Sequence, residues 1–191
     1  MDIVSTPLDG CSPLVVSTVN NSYEPPINYT WTVDGAFAGN GATLPNQTFI
    51  NTGSYSATNH TIQLFGSNHC GSDIDLEFIT VHPETIADFF ATTDTICAGA
   101  SILFIDQSTG ENLTYAWDFG VSTETTAGPH NVQFNVAGTY VIQLVVDGYC
   151  GPDVITMNVV VLPIPVADFV ANPVGICVGE TVSLQTIQHL E

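Results

Sequence analysis

Five cysteines, Cys11, Cys70, Cys97, Cys150 and Cys177, carry the one kind of side-chain chemistry that the sequence sets out at regular intervals. None stands in a Cys-x-x-Cys pair of the kind that holds zinc, and no His-Glu-x-x-His run offers another ligand set. The chemistry left to them is disulfide formation in an oxidising compartment. No Ser-His-Asp order, Gly-rich phosphate loop or paired carboxylates stands beside them, so no catalytic residue, cofactor site or enzyme class is assigned.

The cysteines fall into two series. Gly10-Cys11-Ser12-Pro13, Ile96-Cys97-Ala98-Gly99 and Ile176-Cys177-Val178-Gly179 are spaced by 97 − 11 = 86 and 177 − 97 = 80. His69-Cys70-Gly71-Ser72-Asp73 and Tyr149-Cys150-Gly151-Pro152-Asp153 are offset by 150 − 70 = 80. A tryptophan follows the first cysteine at the same distance in both complete copies, since 31 − 11 = 20 and 117 − 97 = 20. From Trp to the second cysteine the copies differ, 70 − 31 = 39 against 150 − 117 = 33, which puts about six extra residues into a loop of the first. A period of about 80 residues belongs to an array of domains, because a unit of that size buries its own core without borrowing one from a stacked neighbour. The expected division is 1–83, 84–163 and a truncated third unit from 164 to 191. Ala87-Asp88-Phe89 and Ala167-Asp168-Phe169 mark matching starts, and Pro163 and Pro165 occupy the second joint.

Within a unit the apolar pattern has period two, as in Ile102 and Phe104 on one face, Val141, Gln143 and Val145 on the other, and in Ile74, Leu76 and Phe78. No 3.6-residue stripe is sustained, and Gly, Asn, Ser and Pro interrupt at short intervals. Several short strands in each repeat, with a Trp on the third, predict an all-β chain of tandem immunoglobulin-like antiparallel β-sandwiches. For the second unit the expected strands are 87–91, 101–106, 114–119, a variable strand near Thr125, 131–134, 139–146 and 154–162.

With these strands placed, the second unit resembles the polycystic-kidney-disease (PKD) domain. The resemblance rests on Tyr115-Ala116-Trp117-Asp118-Phe119-Gly120, on Ala137-Gly138-Thr139-Tyr140-Val141-Ile142-Gln143-Leu144, and on Val159-Val160-Val161. Two departures stand out: Gly120 is followed by Val121-Ser122-Thr123 in place of the family's usual Asp-Gly, and the first unit reads Trp31-Thr32-Val33-Asp34-Gly35. The Gly-Cys-Ser-Pro-Leu and Cys-Gly-x-Asp phrases are similar to PKD-like repeats of surface adhesins and gliding-motility proteins of Bacteroidetes. That resemblance implies export by type IX secretion, a place on the cell surface, and a role in spacing and presenting a binding region. Implied partners are neighbouring repeats of the same chain and, through other regions, surface polysaccharide or a host or substratum ligand. The alternative is a non-catalytic accessory module that binds or positions polymeric substrate for a secreted hydrolase.

Two disulfide schemes are open. Pairing within each unit joins Cys11 to Cys70 and Cys97 to Cys150 and leaves Cys177 single. In an Ig-like sandwich, however, the turns carrying those cysteines lie at opposite ends, about 20 Å apart, while a disulfide needs Cα atoms within about 7 Å. End-to-end stacking instead brings Cys11 to Cys150 and sends Cys97 and Cys70 to units on either side. Trp31 and Trp117 could serve as platforms for sugar rings, but their matched places on the third strand assign them to the core. Tyr140 is expected to brace the sixth strand.

Composition excludes whole classes of partner. The 191 residues hold 19 Asp and Glu and no Lys or Arg, for a formal charge of −19. Without cations the chain has no means of neutralising phosphates, which argues against nucleic acid and anionic membrane surfaces. No apolar run is long enough for membrane insertion. Self-repulsion predicts firmer folding in salt or with bridging divalent cations, and every trypsin site is missing. No Asp-x-Asp-x-Asp-Gly loop is present, so no cofactor is assigned; Asp106, Asp118, Asp147 and Asp153 read as turn and edge residues, with a weak Ca²⁺ site near Asp88 or Asp168 as the other choice. His60, His69, His82, His130 and His189 read as ordinary surface or loop residues. No signal peptide is expected; Met1 reads as an added start and His189-Leu190-Glu191 as a cloning remnant on a segment of a longer protein.

Overall fold

Alternating apolar residues close two separate cores. In the computed structural model every residue is described except 24–27, 54, 173–174, 176 and 188–191. Ile176 and His189-Leu190-Glu191, all named above, therefore lie outside the described residues.

The first sandwich is built from β1 (Ile3–Thr6), β2 (Asp9–Cys11), β3 (Leu14–Asn20), β4 (Asn28–Val33), β5 (Ala36–Asn40), β6 (Gln47–Phe49), β7 (Thr58–Asn68) and β8 (Gly71–His82). Its sheets run β2-β8-β7-β4-β5 and β1-β3-β6. The second sandwich uses β9 (Phe89–Ala91), β10 (Thr95–Cys97), β11 (Ser101–Asp106), β12 (Thr114–Asp118), β13 (Thr123–Glu124), β14 (His130–Gln133), β15 (Gly138–Gly148) and β16 (Gly151–Leu162). Its sheets run β10-β16-β15-β12-β13 and β14-β11-β9. The fold is all-β and Ig-like.

Pairing agrees residue for residue between the two. Ser5 faces Thr18 as Ala91 faces Phe104, Trp31 faces Leu64 as Trp117 faces Leu144, and Cys11 faces His82 as Cys97 faces Leu162. The extra length of the first sandwich sits mainly between Phe49 and β7. Beyond the second sandwich, β17 (Asp168–Asn172) pairs with β18 (Ser183–Ile187) so that Ala171 faces Leu184. This is the β9–β11 register moved on by one repeat.

Each core is centred on its indole. Trp31 is fully buried among Val16, Leu44, Phe49, Ile62, Leu64, Ile79 and Val81, and its Nε1–H donates to the Gly41 carbonyl at 2.9 Å. Trp117 packs with Phe89, Phe104 and Phe119, and its Nε1–H donates to the Thr126 carbonyl at 3.1 Å. In both, the loop after the Trp hairpin supplies the acceptor, so a buried donor is not left unpaired. Asp34 and Gly35, at φ 49° and 75°, form the two-residue turn joining β4 to β5, the left-handed geometry that suits a twisted hairpin.

Three expectations change. The sequence pattern does not show the short strands β2 and β10; each adds a parallel edge to the larger sheet, so the Trp strand is the fourth of its sandwich and not the third. The alternating set Ile74, Leu76 and Phe78 faces solvent, and the core side of β8 begins only at Ile79 and Val81. Strand bounds also move, β9 starting at Phe89 and β15 and β16 extending to their shared turn.

Candidate functional site

Chemistry-bearing side chains gather where the two sandwiches meet. β2 ends at Cys11, held beside the end of β8 by the parallel pairing of Cys11 with His82 and by Ser12 N–H donating to the His82 carbonyl at 2.9 Å. From the other side comes the β15–β16 hairpin, whose Gly148–Gly151 pair leaves Tyr149 and Cys150 at the tip. Gly151, at φ 91°, supplies the left-handed conformation the tight turn requires. Cys11 and Cys150 are joined in a disulfide with Cα atoms 5.7 Å apart, across 139 residues of sequence.

The bond is flanked by a polar stack. The His82 ring lies on the Tyr149 ring with centroids 3.6 Å apart and planes inclined by 16°. His82 Nδ1 is 2.7 Å from Glu111 Oε2 and Nε2 is 3.2 Å from Asp9 Oδ2, while the Tyr149 hydroxyl donates to Asp9 Oδ1 at 2.9 Å. Tyr149 N–H donates to the Glu111 carbonyl at 2.9 Å, fixing the hairpin tip against the loop that carries the carboxylate. Asp9 and His82 belong to the first sandwich, Glu111 and Tyr149 to the second. An imidazole facing carboxylates with both nitrogens donates to both only when protonated. Burial pushes the His82 pKa down, and the hydrogen bonds to Glu111 and Asp9 outweigh it, so the net shift is upward from 6.5. The Tyr149 hydroxyl and His82 together hold Asp9 below the ordinary carboxylate value, and Asp9 in turn raises Tyr149.

The connecting segment has little slack. Pro83 and Thr85 are buried, Ile86 and Thr109 exchange backbone hydrogen bonds at 2.8 and 2.9 Å, Ala87 N–H donates to Asp153 Oδ2 at 2.8 Å, and Asp88 N–H donates to Ser108 Oγ at 3.1 Å. Thr85 lies under Gly110 and Gly148: a Cβ on Gly148 would fall 2.7 Å from Thr85 Oγ1. Glycine there lets linker and hairpin approach closely.

Of the two pairing schemes the structure adopts the one between sandwiches. Cys70, Cys97 and Cys177 are free and exposed. Within either sandwich the hairpin tip and the β2 or β10 cysteine are at opposite ends of the long strands, which keeps the within-unit pairs apart. Trp31 and Trp117 sit at the two core centres and do not approach the joint. Tyr140 packs its ring on Phe134 at 5.0 Å and donates its hydroxyl to the Val136 carbonyl at 2.9 Å, tying β15 to the loop before it. Asp106, Asp118 and Asp153 accept from the backbone of Ser108, Gly120 and Ala87. Among the described residues no group of three or more His, Cys, Asp or Glu converges as a metal site would require.

The histidine expectation needs correction. His82 is 7% exposed and at the centre of the joint; His60 pairs with Asp34 and packs on Phe49; His130 meets Trp117 and Phe119 edge-on. Sequence reasoning does not single out Asp9, Glu111 or Tyr149. One signal is present in the sequence: His82-Pro83 falls one repeat before Leu162-Pro163, at the end of the last strand of its unit.

Residues 87–161 match the family model described as the PKD domain. Among solved structures, the chain is similar to Rst D1-D2, with 11% identity, 85% of this chain and 100% of that one covered, and a TM-score of 0.47. It is also similar to the amphioxus IgVJ-C2 molecule, at 11% identity, 74% and 93% coverage and a TM-score of 0.44. For the fibronectin(III)-like modules of Clostridium thermocellum CbhA the values are 9%, 85% and 95%, and 0.35. No curated protein matches.

Proposed function

We propose that the two sandwiches and residues 164–191 are successive copies of one unit in the stalk of a large bacterial surface adhesin. In this assignment the units are non-catalytic, and their task is to space and present a binding region away from the cell. Gliding motility and type IX export fit the same assignment. A PKD-type module and a closed disulfide both point to an extracellular or secreted setting.

The observation that carries this is the staple between sandwiches, because it changes how the chain transmits force. Tension applied between residue 1 and residue 163 passes from Cys11 to Cys150 through the disulfide, so the 139-residue span between them carries none of it. A segment whose work is to stay extended under pull gains from such a bypass.

Single-molecule pulling between these ends tests the idea. Under oxidising conditions the enclosed span should add no length at any force the disulfide survives, and extension should be limited to the residues outside the ring. After reduction the same pull should release about 460–500 Å more contour, at roughly 3.3–3.6 Å per residue. Equal extension with and without reductant would refute the bypass.

A further inference from the structure

We infer that the exposed end of the second sandwich around Cys97 is a socket for the Cys-Gly hairpin of a further copy of this unit, and that the Asn68–Gly71 hairpin is the matching plug. The inference rests on the stalk assignment and names the partner of its two open ends.

The filled joint shows what a socket consists of. Cys11 stands on a three-residue strand paired in parallel with the end of β8, the residue after it donates its N–H to the carbonyl of His82, and the flat side of His82 receives the partner's ring. The second sandwich repeats each feature. Cys97 stands on β10, paired in parallel with the end of β16; Ala98 N–H donates to the Leu162 carbonyl at 2.9 Å; and Leu162 takes the place of His82. The difference is occupancy. His82 is 7% exposed under Tyr149, while Leu162 is 46% exposed and Cys97 is open to solvent. The described part of 164–191 leaves both accessible.

The plug is equally recognisable. Asn68 and Gly71 close the β7–β8 turn as Gly148 and Gly151 close the β15–β16 turn, leaving His69 and Cys70 where Tyr149 and Cys150 stand. Asn68 Oδ1 accepts from Cys70 N–H at 2.8 Å, so the turn is already set. A plug of this kind places an imidazole over Leu162, an apolar contact in place of the charged stack at the filled joint. The two ends are different surfaces that fit each other, so the contact is head to tail and propagates. A ring opening at Cys97 overlaps the Cys11–Cys150 ring across residues 97–150, which leaves no link of the array outside a covalent loop.

Closure needs an oxidant, which in the test is glutathione disulfide. The Cys97 thiolate attacks it, forming a mixed disulfide and releasing one glutathione thiolate. The Cys70 thiolate then attacks the Cys97 sulfur and releases the second, so two protein thiols are oxidised as one glutathione disulfide is reduced.

The experiment uses the whole chain in two forms, Cys70→Ser with Cys177→Ser, which keeps the socket, and Cys97→Ser with Cys177→Ser, which keeps the plug. Mixed in glutathione redox buffer, they should form a disulfide dimer whose Glu- and Asp-directed digest joins Cys97 to Cys70. That dimer should exceed either homodimer at least tenfold. Adding Leu162→Asp to the socket form should lower the yield about tenfold while Cys97 still takes up glutathione at its former rate. A statistical mixture of the three dimers, no dimer, or a yield indifferent to Leu162→Asp overturns the inference. The same digest reports the Cys11–Cys150 peptide: its presence without Cys97–Cys70 sinks the socket alone, and its absence sinks the stapled stalk as well.

Discussion

Replacing Cys11 and Cys150 together by serine should lower the stability of both sandwiches, although neither residue belongs to a core. The reason lies in the denatured state. When the second sandwich unfolds with the first intact, one end of the loose chain stays fixed at His82 and the other is held at Cys11 through Cys150. The span between, 150 − 82 = 68 in sequence, is thus closed into a ring. The chain-entropy relation for a ring of that length gives about 4 kcal/mol at 25 °C. By the same construction the first sandwich unfolds with the span from Cys11 to Ile86 closed, 86 − 11 = 75 in sequence, and the relation again gives about 4 kcal/mol. These two gains do not add, because full unfolding closes one ring of 150 − 11 = 139, worth about 5 kcal/mol; at roughly 4–8 °C per kcal/mol for units of this size, the first transition to occur should fall by about 15–30 °C and the second by only a few degrees. Scanning calorimetry of the oxidised chain and the double variant measures this, with Cys97→Ser as the control that leaves both midpoints in place. Shifts below about 3 °C in both transitions would show that the staple does not restrain the unfolded chain, and the loop argument would be wrong.

Two further outcomes concern the contacts around the bond. His82→Gln keeps a hydrogen-bonding side chain and removes the charge. Because the folded pKa of His82 is raised, its contribution is complete below about pH 6.5 and is lost as pH rises through the folded value; that of Asp9, whose pKa is lowered, is present above its ordinary 3.8 and lost as pH falls through the folded value. The melting-point difference between wild type and His82→Gln should therefore be largest near about pH 5.5 and shrink by about pH 8.5; an equal difference at both would refute the charged stack. Gly148→Ala drives a methyl to 2.7 Å from Thr85 Oγ1, 2.9 Å from Leu113 Cδ2 and 3.0 Å from the Glu111 carbonyl. Denaturant melts should show a loss of about 1–3 kcal/mol, and a neutral result would mean that linker and hairpin are not in contact.

The fold was legible because its signals are local or strictly periodic. Trp31 and Trp117 follow Cys11 and Cys97 at one shared offset, and alternation in Ile102 and Phe104 marks a strand with one face inward. What stayed hidden was short or distant. Thr95-Ile96-Cys97 is too brief to show a period and declares itself a strand only through its parallel partner Val160-Val161-Leu162. Ile74, Leu76 and Phe78 carry the right alternation but the outward phase, because alternation gives two faces without saying which one the core takes. The joint was harder still. His82 finds its carboxylates 73 residues back at Asp9 and 29 residues on at Glu111, so no window of sequence contains the cluster. The disulfide scheme stayed open between two pairings: strand length spoke against the within-unit pairs, but no stretch of sequence shows how the two sandwiches meet.

A chain without Lys or Arg has few ways to hold two acidic bodies together, and the joint shows which it uses. Every Asp and Glu on one sandwich repels those on the other, and ordinary ion pairs are unavailable to offset this. The contact instead combines a covalent bond, which neither salt nor pH screens, with an imidazole between two carboxylates taken from opposite sides, a pair of contacts that becomes ionic when His82 is protonated. The two respond to different conditions. Reduction opens the first and leaves the second, while raising pH discharges the second and leaves the first. At the inferred socket Leu162 stands where His82 does, so a joint closed there would rest on its disulfide and an apolar contact alone. Successive joints built on one plan would therefore share redox sensitivity and differ in their response to pH, with His82 setting the difference.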